Sequence, residues 1–194
     1  MALNPADEAS RDTRMAHVPP EEAPLLTDGV VTLDSYQLAD VEAHLAGDDG
    51  ENQKWLNDSL ASSIETVTLA ICNWRRDWRT GASRRTWAIR VLSSHTLLGG
   101  CELRIHDANG ELSHWIFPQH RGNGYAARAV QLVVDYAFSH LDMERAEIGF
   151  EVDNAASRGV ARQAGFVEEG VLRKKMTRGG QRRDMVIASR LKGD

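Results

Sequence analysis

Cysteine is scarce in this chain: Cys72 and Cys101 are the only two in 194 residues, and their spacing fits neither a metal site nor a redox motif. A disulfide framework and a zinc module are thereby excluded. No apolar run approaches the ~20 residues of a membrane span, and the amino terminus lacks the basic start and apolar middle of a signal peptide. Positive charge is not in excess either. Lys and Arg number 23 against 28 Asp and Glu, a formal net charge of -5, whereas nucleic-acid binding is driven by clustered cations that release counterions from phosphates. These absences predict a cytoplasmic protein with no metal, no membrane and no nucleic-acid partner. A local exception is Arg173-Lys174-Lys175, which reads as an anchor for a small anionic ligand.

What is present is enough for one domain, since 42% of the residues are hydrophobic and a chain of this length buries a core without staples. Residues 1–24 mix Asp7, Glu8, Asp12, Pro19, Pro20, Glu21 and Glu22 with small residues and show no apolar period, which predicts a flexible leader ahead of a domain over 25–194. Residues 25–33 read as a turn leading into a strand, and 38–45 as a short helix. From 62 to 78, Ile64, Val67, Ile71, Trp74 and Trp78 recur at three- and four-residue steps and predict a long amphipathic helix. Strands are expected at 86–92, 97–105 and 111–118, the last two joined by Asp107-Ala108-Asn109-Gly110, whose Asn-Gly pair favours positive φ and hence a hairpin turn. Val130, Val133, Val134, Ala137, Phe138 and Leu141 mark a second helix. A strand at 145–152, a helix at 154–164 ended by Gly165, and a hairpin of 170–177 with 184–191 across Gly179-Gly180 complete the pattern. The expected class is α+β, a mixed and mostly antiparallel sheet flanked by helices.

Between the third of these strands and the following helix lies Arg121-Gly122-Asn123-Gly124-Tyr125-Ala126. Two glycines let backbone N–H groups approach an anion, and the helix start adds about half a positive charge, so a diphosphate is the natural guest. No Gly-Lys-Ser/Thr follows, which excludes a P-loop, and a dinucleotide fingerprint would need a third glycine or alanine with an acidic residue after the next strand.

The same segment matches the Arg/Gln-x-x-Gly-x-Gly/Ala motif of the GNAT N-acetyltransferase superfamily. Farther on, Asn154-Ala155-Ala156-Ser157 and Gly165-Phe166-Val167-Glu168-Glu169-Gly170 resemble a signature of the branch that includes the ribosomal-protein N-terminal acetyltransferases, as do Trp115-Ile116 and Arg183-Asp184-Met185-Val186. The likeness runs from about Leu25 to the carboxyl terminus. It implies a GNAT fold with acetyl-coenzyme A as donor and a primary amine as acceptor. It also implies that Arg121, Gly122, Asn123, Gly124, Tyr125 and Ala126 hold the pyrophosphate, that Ile116 and Phe117 bond the pantetheine arm, and that Asn154 and Ser157 contact that arm from the other side.

Acetyl transfer to an amine needs a neutral nucleophile and a proton for the departing thiolate. An α-amine has a pKa of roughly 7.7–8.0 and a lysine about 10.4, so a lysine wants a dedicated base and an α-amine can release its proton to water. Candidate bases are Glu111, His114 and Glu151. Strand alternation sets Glu111 with Ser113 and Trp115 on one face and His114 on the other. The superfamily often takes its general acid from a tyrosine beyond the Asn-bearing helix; here the last tyrosine is Tyr136, so the resemblance moves that role to Ser157. Cys101 reads as a core residue and direct attack in a ternary complex is expected. Trp55, Trp74 and Trp78, with Arg75, Arg76 and Arg79, populate the expected acceptor side between the long helix and the last hairpin. A protein N-terminus is the favoured acceptor. A small-molecule amine, a coenzyme-binding module without turnover, and a nucleotide-binding protein using the same turn are the competing readings, and a homodimer is among the assemblies left open.

Overall fold

The computed structural model describes residues 21–50 and 62–194. Its strands are β1 (Leu26–Thr27), β2 (Val31–Asp34), β3 (Arg84–Val91), β4 (Leu97–His106), β5 (Asn109–Ile116), β6 (Arg145–Glu151), β7 (Val167–Arg178) and β8 (Gln181–Leu191). They form one sheet in the order β1-β2-β3-β4-β5-β6-β8-β7. Each neighbouring pair is antiparallel except β5 and β6. Around the sheet lie α1 (Val41–Gly47), α2 (Ile64–Thr80), α3 (Tyr125–His140) and α4 (Ala155–Gln163). The α+β architecture with a mixed, mostly antiparallel sheet is the one expected.

Helix α2 starts where Ser63 accepts a hydrogen bond from the Thr66 N–H and stops at Gly81 in a left-handed conformation. Val67, Ile71 and Trp78 of its stripe are buried, whereas Ile64 in the first turn is 60% exposed. On the opposite face, α3 buries Ala126, Ala129, Val130, Val133, Val134 and Ala137 against strand residues such as Leu33, Ile89, Leu103 and Ile148. Two apolar layers thus clamp the sheet, and at roughly 25 cal/mol per Å² this burial is the main stabilising term.

Two local expectations shift. The β4–β5 turn falls on Asp107 and Ala108, because His106 already pairs with Asn109. Gly110 lies inside β5, where a Cβ would come within 2.6 Å of Leu103 Cδ1 and 2.9 Å of the Met143 sulfur. That glycine is required by close packing, and the turn is made by Asp107 at φ 54°. The chain also engages the fold before residue 25: the Ala23 N–H donates to Ser35 Oγ at 2.7 Å and Trp87 Nε1 donates to the Pro24 carbonyl at 3.2 Å. Residues 1–20 of the expected leader, and Trp55, lie outside the described residues.

The parallel pair β5–β6 is short. Its register runs from Asn109 opposite Arg145 to Leu112 opposite Ile148. Beyond these residues β5 stays paired to β4 as far as Ile116, and β6 to β8 as far as Glu151. The two strands therefore diverge and leave a wedge in the middle of the sheet.

Candidate active site

A cavity of about 410 Å³ fills this wedge, a volume within the usual range for small-molecule sites. Its walls are Leu112 to Ile116 of β5, Ile148 to Glu151 of β6, the segment His120 to Ala127, the first turns of α4, and Met176, Arg178 and Met185 of the β7–β8 hairpin. The sheet's opening and the glycine turn are thus one site.

The turn is shaped to present bare backbone. Gly122 and Gly124 have φ of 79° and 76°, and a Cβ built on either meets nothing within 4 Å. Gly124 is the N-cap of α3, and no side chain caps that end, so first-turn N–H groups face the cavity with the positive end of the helix dipole. Neighbouring side chains turn away from those amides. Asn123 Nδ2 donates to the carbonyls of His120 and Arg121, each at 3.1 Å. Arg121 Nε donates to the Ile116 carbonyl at 3.0 Å, while its two terminal nitrogens grip Asp49 at 2.9 and 2.8 Å. Arg121 therefore braces the turn against β5 and the end of α1. An anionic diphosphate fits this arrangement.

Across the wedge, Asn154 Oδ1 accepts from the Ser157 N–H at 3.0 Å and caps α4. Asn154, Ser157, Tyr125 and Ala126 all line the cavity. The structure so brings together Ile116, the 121–126 turn, Asn154, Ser157 and His114. Phe117 and Glu111 stand outside the cavity. The Phe117 N–H is committed to the Leu98 carbonyl at 2.8 Å, and its ring is buried against His44. Glu111 is exposed near the far end of β5, its carboxylate 4.0 Å from His106.

His114 shares the α3 side of β5 with its cross-strand partner Cys101. Burial lowers its pKa to about 4, which keeps the ring neutral near pH 7 and a weak proton acceptor. Burial raises the Cys101 thiol well above its usual range, so a thiolate nucleophile is disfavoured there. On the other face, Trp115 packs against Tyr36, Trp74 and His44; Trp74 supports the cavity wall from behind and Trp78 belongs to the core. Glu151, buried at the end of β6, is ion-paired to Arg178 at 2.6 Å and lies 3.9 Å from Arg183. The link of Arg178 to Glu151 crosses from one strand to another and leaves no local pattern in the sequence.

The sequence matches the model of the acetyltransferase (GNAT) domain over residues 31–167. It is 37% identical over 142 residues to the Bacillus subtilis N-acetyltransferase YoaA, covering 73% of this chain and 77% of that protein. It is 32% identical over 147 residues to YdaF of Bacillus subtilis, provisionally named a ribosomal N-acetyltransferase, covering 72% and 77% of the two chains. Among solved structures, Mycobacterium smegmatis RimJ in complex with CoA-disulfide shares the fold, with a TM-score of 0.73 at 21% identity over 88% of this chain and 86% of that one. With the bare-amide turn, the split sheet and these matches together, the chain belongs to the GNAT acetyltransferase family and is an acetyl-CoA-dependent N-acetyltransferase.

Proposed function

We propose that this enzyme acetylates the α-amino group of a polypeptide by direct attack in a ternary complex. The observation that supports this reading most is the proton chemistry of the wedge. His114, on the β5 wall, is held near pKa 4, and Glu151, on the β6 wall, is engaged by Arg178. Neither strand wall offers a strong base. Baring a lysine at neutral pH costs roughly 3.4 kcal/mol more than baring an α-amine, at 1.36 per pKa unit; strand walls without a strong base suit the α-amine. The name of the relative YdaF points the same way.

In this reading acetyl-CoA supplies an acyl group already activated as a thioester. The amides of Gly122 to Ala126 hold the diphosphate, and the parted edges of β5 and β6 flank the pantetheine arm. Asn154 fixes the first turn of α4, and Ser157 relays a proton to the departing sulfur and regains one from the water that takes up the amine's proton, so the net transfer is from amine to thiolate. His114 stays neutral as part of the wall, and water accepts the proton of the amine.

Incubation with acetyl-CoA and a panel of free-N-terminus peptides, N-terminally blocked lysine peptides and polyamines tests this reading by mass gain. One acetyl group on the α-nitrogen of the free peptides is expected. Product only on lysine or polyamine nitrogens, or no product, would refute it.

A further inference from the structure

The hairpin that closes the cavity carries charge that acetyl transfer as described leaves unused. Between the pairs Leu172 with Met185 and Met176 with Arg183, the β7–β8 register slips, so Arg173, Lys174 and Lys175 face only Asp184 across the gap. The bulge is fastened by the Lys174 N–H, which donates to Asp184 Oδ1 at 2.7 Å, and Lys174 takes a φ of 53°. A non-glycine residue in that region is unfavourable and persists where its surroundings hold it. Bulges of this kind re-aim side chains beside functional sites.

Here the extruded residues are three consecutive cations, all exposed. Glu151 engages Arg178 and Arg183, and Arg173, Lys174 and Lys175 make no ion pair with a carboxylate of the described residues. From 173 to 183 the chain has no acidic residue, although its formal net charge is -5. The bulge is bracketed by Met176 and Met185, both of which line the cavity. In the sheet it lies on the far side of β6 from β5 and the glycine turn.

We propose that Arg173, Lys174 and Lys175 form a docking ridge for carboxylates of an acidic acceptor polypeptide, on the residues that follow its amino terminus. This rests on the α-amine reading above. A chain whose amine lies in the cavity advances about 3.3 Å per residue and passes the hairpin wall within its first several residues. Opposite charges at such a rim steer association and select partners. The coenzyme's diphosphate has its own donors at the start of α3. The formal net charge of -5 disfavours a long polyanion as the occupant.

The test uses two labelled peptides with free N-termini, one with Asp and Glu at positions three to six and one with Asn and Gln there. They are compared on the full wild-type chain and on the Arg173→Gln/Lys174→Asn/Lys175→Gln variant, Asn being tolerated at positive φ. The expected result is a preference of the wild type for the acidic peptide of roughly tenfold in kcat/KM. That preference is lost in the variant and in about 0.5 M salt, while the acetyl-CoA KM is unchanged. Equal use of both peptides, or a variant altered only in its acetyl-CoA KM, would overturn the ridge. If neither peptide is acetylated, the α-amine reading fails, and anisotropy judges the ridge by itself. Tighter binding of the acidic peptide, lost in the variant, would support it; equal binding, or tighter binding of a single-stranded RNA of the same length, would overturn it.

Discussion

Leu112 and Ile148 are the last residues at which β5 and β6 face each other in register. Past them each strand keeps its outer neighbour, so the gap is held open from both sides. Gly149, the next residue on β6, lines that gap, and a Cβ there would meet Ile187 Cδ1 at 3.4 Å and Met185 Cε at 3.6 Å. A larger side chain at 149 should therefore occupy the wedge without dismantling the sheet. Gly149→Leu is expected to weaken coenzyme A binding at least about tenfold, or roughly 1.4 kcal/mol, by calorimetry, while the melting temperature changes little.

Gly124→Glu places a carboxylate at the uncapped start of α3, the proposed diphosphate site, and adds the cost of a side chain at φ 76°. Coenzyme binding should be abolished. Gly124→Ala separates the two effects. It should lose about 1–2 kcal/mol of stability from the left-handed backbone, read by denaturant unfolding, yet keep measurable coenzyme affinity.

Ser157→Ala should lower kcat more than coenzyme affinity, because the Asn154 cap is made to the Ser157 backbone N–H and survives the change. Loss of a general acid typically costs about 10²-fold or more. Unchanged kcat would remove Ser157 from the reaction.

His114 makes the fold acid-sensitive in a stated window. Its pKa falls from 6.5 in the unfolded chain to about 4 in the fold, so the unfolded state binds the extra proton between these values. No penalty exists above about pH 6.5; stability falls as pH drops from there to about 4, by about 3 kcal/mol at 1.36 per unit. His44, also lowered by burial, acts in the same direction. His114→Phe should flatten this limb relative to the wild type in pH-dependent urea unfolding, and an unchanged limb would contradict the assignment.

Much of this arrangement was legible in the residues. The period of Val67, Ile71 and Trp78 gave α2, Gly179-Gly180 gave the last turn at φ 52° and 72°, and the alternation on β5 separated Glu111 from His114. Asn109-Gly110 misled because the glycine answers to packing by Leu103, across the hairpin, and by Met143, outside it. The wedge itself was not readable, since it depends on where residues 109–112 stop pairing with 145–148. For the same reason sequence could not show that Glu111 sits at the closed end of β5 and His114 at the open end. Phe117 looked like a strand terminus and is a core ring, because α1 packs over it.

Amide hydrogen exchange at Gly122 to Ala126, with and without saturating coenzyme A, tests the central claim most directly. If these N–H groups hold the diphosphate, their exchange should slow markedly on binding, more than that of exposed amides elsewhere, such as those of the Gly179-Gly180 turn. Tight binding of coenzyme A with unchanged exchange at 122–126 would contradict the account.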